Sequence, residues 1–145
     1  MRMHRTQVER LLPHAGAMCL IDTVLAWDRE HIICETARHR AIDNPLRAHG
    51  RLAAIHAIEF AAQAMAAHRR LADAEADMPA RGLLVSVRDC SFAVGRLDDC
   101  ENALVVEAIR IAATANAITY RFTVGPAGHP LAQGRACVAL VTASL

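Results

Sequence analysis

Alternation of apolar and polar positions is cleanest over "AITYRFTV". Ile118, Tyr120, Phe122 and Val124 fall on one parity, and Thr119, Arg121 and Thr123 on the other. This is the period-2 signature of a strand with one face in a core. The same reading gives strands at "ALVVEAIRIAA", "LAQGRACVALVTA" and "GLLVSVRDCSFAV". In the last, Leu83, Val85 and Val87 share a face while Cys90, Phe92 and Val94 take the opposite parity. A bulge near Arg88–Asp89 would reconcile the two. Earlier, "MCLIDTVLAW" from Met18 to Trp27 is apolar and partly β-branched, and predicts a buried strand. The charged turn Asp28–Glu30 joins it to a second strand at "HIICETARHR".

Helical periodicity is confined to two places. Residues 5–12 predict a short helix that stops at Pro13. Residues 52–74 are rich in Ala, Leu, Met, Glu and Gln, all good helix formers. The second helix is apolar on nearly every side over its first four turns, so burial is expected. Arg69, Arg70, Asp73, Glu75 and Asp77 mark its solvent end, and Pro79 closes the segment. Between the second strand and this helix, "AIDNPLRAHGR" over residues 41–51 has loop chemistry.

The order is short helix, two strands, one long helix, then three or four strands. That is an α+β layout in a single domain spanning 1–145, with an antiparallel sheet wrapped around one helix. One helix cannot cover a sheet of this size, so a dimer is expected to hide the remaining apolar surface.

Composition narrows the function. The chain is 54% hydrophobic and 21% charged, which supports a packed core. All sixteen basic residues are arginine, scattered at a net charge of +1. No basic stripe with interleaved aromatics marks a nucleic-acid surface, and no apolar run has the length of a membrane span. The opening residues lack the apolar centre of a secretory signal, so the cytoplasm is the expected compartment. Cys19, Cys34, Cys90, Cys100 and Cys137 are odd in number and widely spaced. They read as reduced and mostly buried, without the spacing of a zinc site.

The stretch "RAHGRLAAIHAIEFAAQAMAAH" carries the candidate chemistry. Glu59 stands in an apolar run about two turns into the helix, where desolvation would raise its pKa. Gln63, four residues on, shares its face. His56, three residues before it, lies roughly 60° away around the helix. His49 and Gly50 sit in the loop that enters the helix. His4, His31, His39, His68 and His129 have no context that separates them from surface residues.

Three blocks resemble a known family. "LLPHAGAMCLIDTVL", with Leu12-Pro13-His14 and Asp22, is similar to the opening of the hotdog-fold 3-hydroxyacyl-acyl-carrier-protein dehydratases. "IEFAAQA" resembles their central-helix motif, in which Glu precedes Gln by four residues. "LLVSVRDCSFAVGRLDD" resembles the strand that follows, with Asp89 and Phe92 in matching places. The texture of "AMCLID" and "NPL" looks closest to the branch found in aryl polyene and related pigment clusters, whose members are dehydratases or partner subunits of a second hotdog dehydratase. One departure stands out. The family has Gly-His-Phe-Pro-Gly before the helix, with His as the base, whereas this chain has "AHGRLAA".

The resemblance implies a dehydratase that turns a 3-hydroxyacyl thioester, linked to acyl carrier protein or coenzyme A, into the trans-2-enoyl thioester. No metal or cofactor is expected. A histidine would take the proton beside the carbonyl, an apolar-pocket carboxyl would protonate the departing hydroxyl, and backbone N–H groups at the helix start would hold the thioester oxygen. Glu59 is the expected acid. His49 has the topological position of the base and His56 the helical geometry, and both stay open. Gln63, Gly50 and His14 are the expected substrate-side residues. Arg47, Arg51, Arg81 and Arg88 are the basic residues that would meet an acidic carrier. Two other readings remain, an acyl thioesterase on the same fold and a non-catalytic subunit of a homo- or heterodimeric hotdog assembly.

Overall fold

The computed structural model describes residues 2–12, 16–73 and 80–142. Its elements are α1 (Arg5–Leu11), β1 (Thr23–Trp27), β2 (His31–Thr36), α2 (Ala57–Ala72), β3 (Ala80–Phe92), β4 (Leu104–Ala113), β5 (Ala117–Gly125) and β6 (Ala132–Thr142). The six strands form one antiparallel sheet in the order β1-β2-β4-β5-β6-β3. Helix α2 lies across the inner face of β2, β4 and β5. The α+β layout with one long helix on a wrapped sheet is therefore as the periodicity predicts.

The alternating strand is the clearest case. Ile118, Tyr120, Phe122 and Val124 on β5 are all buried, together with Phe60, Ala61, Ala64 and Met65 from α2. Gly134 on β6 makes room for Phe122, since a Cβ there would lie 3.0 Å from the ring and 2.7 Å from Cys90 Sγ.

Several expectations need correction. The strand predicted over Met18–Trp27 begins only at Thr23, after a 3-10 turn at Gly16–Met18. Residues 19–21 are buried but outside the ladder, because side chains replace it. The Leu20 N–H donates to Gln63 Oε1 at 2.8 Å, and its carbonyl accepts from Thr36 Oγ1 at 2.6 Å. The bulge near Arg88–Asp89 is present, with Asp89 at φ 53°. A second irregularity between Leu84 and Ser86 breaks the predicted face of β3. Leu84 opposes the inward Val138 and Val87 opposes the buried Ala136, while Leu83 and Val85 are exposed. His68 and His39, read as surface residues, are wholly buried. Only Cys19 and Cys34 of the five free cysteines are fully buried.

Strand β3 is a sheet edge, and α2 leaves the inner face of β6 and β3 partly uncovered. Leu84 is 40% exposed on that face, and Leu83, Val85 and Val141 at the same edge are each at least 45% exposed. Among the described residues, no helix is long and apolar enough to cross a membrane.

Candidate active site

The long helix starts as a 3-10 turn over Ala54–His56 and becomes α-helical at Ala57. Its register puts Phe60, Ala61, Gln63, Ala64, Ala67 and His68 into the core. The opposite stripe, Ile55, Glu59, Ala62, Ala66 and Arg70, is exposed or half-buried in this chain. Glu59 is thus not enclosed by apolar neighbours on all sides, and the desolvation expected for it is not supplied by this chain alone. Alanine is the reason the sequence misleads, because an Ala-rich helix has the same apolar texture on its packed and open faces.

That stripe forms one wall of a cleft of about 160 Å³. Glu59, Ala62, Gln63, Met65, Ala66 and Arg69 line it from α2, and Gly82, Leu84 and Val138 from the exposed end of the sheet. Glu59 and Arg69 are ten positions apart on the helix, about 15 Å along the axis. A carboxylate near one end, an apolar floor and a wall on the sheet edge suit an acyl chain lying along the helix. Gly82 lies close beside Arg69, and a Cβ there would stand 2.7 Å from Nη1, so the guanidinium would have to move.

Gln63 is 4% exposed and reaches both ways. It accepts from the Leu20 N–H and donates through Nε2 to the Met18 carbonyl at 2.7 Å. It fastens the segment before β1 to the helix, and it lies in the same cleft as Glu59. Next to that segment, Asp22 ties α1 to β2. Its carboxylate accepts from Arg5 Nη1 at 2.9 Å and from the Ala37 N–H at 2.8 Å.

His49 and Gly50 occupy the tip of a tight turn. Ala48 and Arg51 exchange both backbone hydrogen bonds, at 2.9 and 3.0 Å, and the two residues between them have φ of 54° and 73°. Paired positive φ values are those of a two-residue hairpin of type I′, which explains Gly50 by conformation, since a Cβ there would meet nothing. For His49 the left-handed backbone is a strain held by its surroundings. Arg47 donates to the Gly50 carbonyl at 3.0 Å and stands 3.8 Å from Asp98. Asp98 in turn accepts from the Leu52 N–H at 2.9 Å and is paired with Arg96. The Arg96 guanidinium, with the Leu52 N–H, holds the Asp98 carboxyl well below the usual range.

The structure brings Glu59 and Gln63 together in one cleft. His49, Gly50 and His56 do not line it. His56 is half-buried at the 3-10 junction and makes no hydrogen bond to Glu59 among the described residues. His14, with Pro13, lies outside the described residues, as does Pro79. The backbone N–H groups of Ala54, His56 and Ala57 are already taken by the carbonyls of Gly95, Ala53 and the 3-10 turn. The helix start therefore does not present these donors to a thioester oxygen. Sequence reasoning missed Arg69, Gly82, Leu84 and Val138 as cleft residues. Ala62, Ala66 and Arg69 follow from Glu59 by helical phase, but the strand residues are joined to them only by the fold.

A helix laid on a wrapped antiparallel sheet, with its acidic residue facing a cleft at the sheet edge, defines a hotdog-fold enzyme. Residues 6–142 match the family model of the ApeP-like proteins, described as ApeP dehydratase, and the chain belongs to that family. It is a hotdog dehydratase. Among solved structures it is similar to the dehydratase heterocomplex ApeI:P from Xenorhabdus doucetiae, with a TM-score of 0.78 and 24% identity over 92% of this chain and 90% of that one. It also resembles a thioesterase from Pseudomonas aeruginosa, with a TM-score of 0.67 and 16% identity over 97% of this chain and 96% of that one. A thioesterase from Haemophilus influenzae gives 0.68 and 9% over 97% and 92%. These likenesses show the fold alone. A comparison with curated protein sequences gives no match.

Proposed function

We propose that residues 1–145 act as one hotdog unit that dehydrates 3-hydroxyacyl thioesters, carried on an acyl carrier protein, in aryl polyene or fatty-acid-like synthesis, with Glu59 as the acid. The observation that carries this reading is the position of Glu59. It faces a cleft whose other wall is the uncovered edge of the sheet, beside the apolar row on β3. A second hotdog chain paired with that edge would close the cleft and remove water from around the carboxyl. Desolvation of that kind favours the protonated acid that must donate to the leaving hydroxyl.

In the reaction, a base removes a proton from the carbon next to the thioester carbonyl. Glu59 protonates the hydroxyl on the following carbon, and water leaves as the double bond forms. Gln63 holds the cleft wall in place. Neither His49 nor His56 shares the cleft with Glu59, which supports a base that works across an assembled interface. His49 is exposed and carried on a rigid turn, so it is suited to reach a neighbouring subunit's site. The base for Glu59 then comes from the other chain, whether a second copy or the partner of a heterocomplex like the one found for the similar Xenorhabdus protein.

The test is an absorbance assay with a 3-hydroxyacyl thioester, run on the protein alone and with a second hotdog dehydratase subunit. Growth of the enoyl chromophore in either arm is expected. Release of free thiol in place of enoyl product would overturn the reading in favour of a thioesterase.

A further inference from the structure

Strand pairing sets three arginines side by side on the outer face of the sheet. Arg88 on β3 opposes Arg135 on β6, and Arg135 opposes Arg121 on β5. Directly opposed residues of antiparallel strands share a face. Their chain neighbours Val87, Ala136 and Phe122 point inward, so this row points out, and all three arginines are exposed. With strands about 4.8 Å apart, the row is about 10 Å long.

Like charges placed directly opposite one another repel. Among the described residues, one carboxylate pairs with the row. Asp89, held at φ 53° in the bulge, accepts from Arg135 Nε at 3.1 Å and also from Nη2. Glu107 on β4 stands diagonally from Arg121 but makes no ion pair with it among the described residues. The next rung, Ser91, Gln133 and Thr123, is neutral and hydrogen-bonding. A cleft of about 200 Å³ opens between the two rungs beside Asp89, Arg121 and Arg135.

We propose that this row is a docking surface for an acidic helix of a partner protein. Carboxylates at i, i+4 and i+7 of a helix lie along one face and span about 10.5 Å, which matches the length of the row. The incoming acid at the centre would compete with Asp89 for Arg135. A nucleic acid fits less well, because the row is short and the chain's net charge is only +1. The surface lies on the opposite face of the sheet from the Glu59 cleft, so it stands or falls apart from the proposed reaction.

The test uses the whole protein and two fluorescein-labelled helical peptides of one composition, with Glu at i, i+4 and i+7 in the first and at scrambled spacing in the second. Fluorescence anisotropy at low salt should show the first binding about tenfold tighter, with the difference fading as salt screens it. Arg121→Glu should weaken binding about tenfold, and Asp89→Asn should strengthen it several-fold by removing the competing carboxylate. A urea melt would show that both variants stay folded. Equal affinity for the two peptides, indifference to Arg121→Glu, or tighter binding of a DNA duplex than of either peptide would overturn the proposal.

Discussion

The proton on buried His68 is fixed by its neighbours. Its Nε2 lies 2.7 Å from the Asp28 carbonyl oxygen, which can only accept, so Nε2 carries the hydrogen. Nδ1 then accepts from Tyr120 O–H at 2.7 Å, and Arg110 donates to the same phenol oxygen at 3.2 Å. Burial pushes the His68 pKa down, and burial does the same to His39. The folded chain thus refuses a proton that the unfolded chain accepts near the ordinary value of 6.5. Stability should be full above about pH 6.5 and decline as pH falls below it, until the folded histidines also titrate. Urea midpoints at pH 7.5 and 5.5 would check this, and a flat profile would contradict it. Tyr120→Phe strands the buried Nδ1 without a donor and should cost about 1–3 kcal/mol. None of this was legible in the sequence, because the partners lie 40 and 52 residues away from His68. An isolated histidine in an apolar helix gives no sign of which face it occupies.

At the scale of elements, more could be read. The long helix, the strands after it and the bulge at Asp89 follow from hydrophobic period and turn residues alone. The failures have physical causes. Residues 19–21 look like strand, but Leu20 at their centre bonds to Gln63 and Thr36. The irregularity at Leu84–Ser86 leaves no mark in the apolar pattern, yet it decides which residues of β3 face out. Those residues make the edge of the sheet sticky. Val85 is 58% exposed on an edge strand, a place where natural sheets often carry lysine to prevent pairing. Val85→Lys should therefore leave the monomer folded while weakening assembly with a second hotdog chain, seen as a shift to monomer in analytical ultracentrifugation. Unchanged assembly would place the interface elsewhere.

On the scale of the whole molecule, the sheet has two faces with different work. The inner face and α2 hold the core and the Glu59 cleft, and the outer face of β3, β6 and β5 carries the arginine row. The residue proposed as the acid could be singled out in the sequence, from an isolated carboxyl in an apolar helix and the resemblance of its Glu-x-x-x-Gln spacing to the family motif. Its surroundings were not, since a single chain leaves Glu59 exposed and the proposed covering partner is not written in this sequence. The base was not legible either, because the loop motif is replaced by "AHGR", and the turn it forms leaves His49 outside the lining of its own cleft. The central claim, that Glu59 is the acid, is tested most directly by enoyl formation from a 3-hydroxyacyl thioester in the assembled dehydratase, comparing the unmodified chain with Glu59→Gln. Loss of a general acid should lower kcat about 10²–10⁴-fold with the assembly intact. Retention of the full rate by the Gln variant would contradict it.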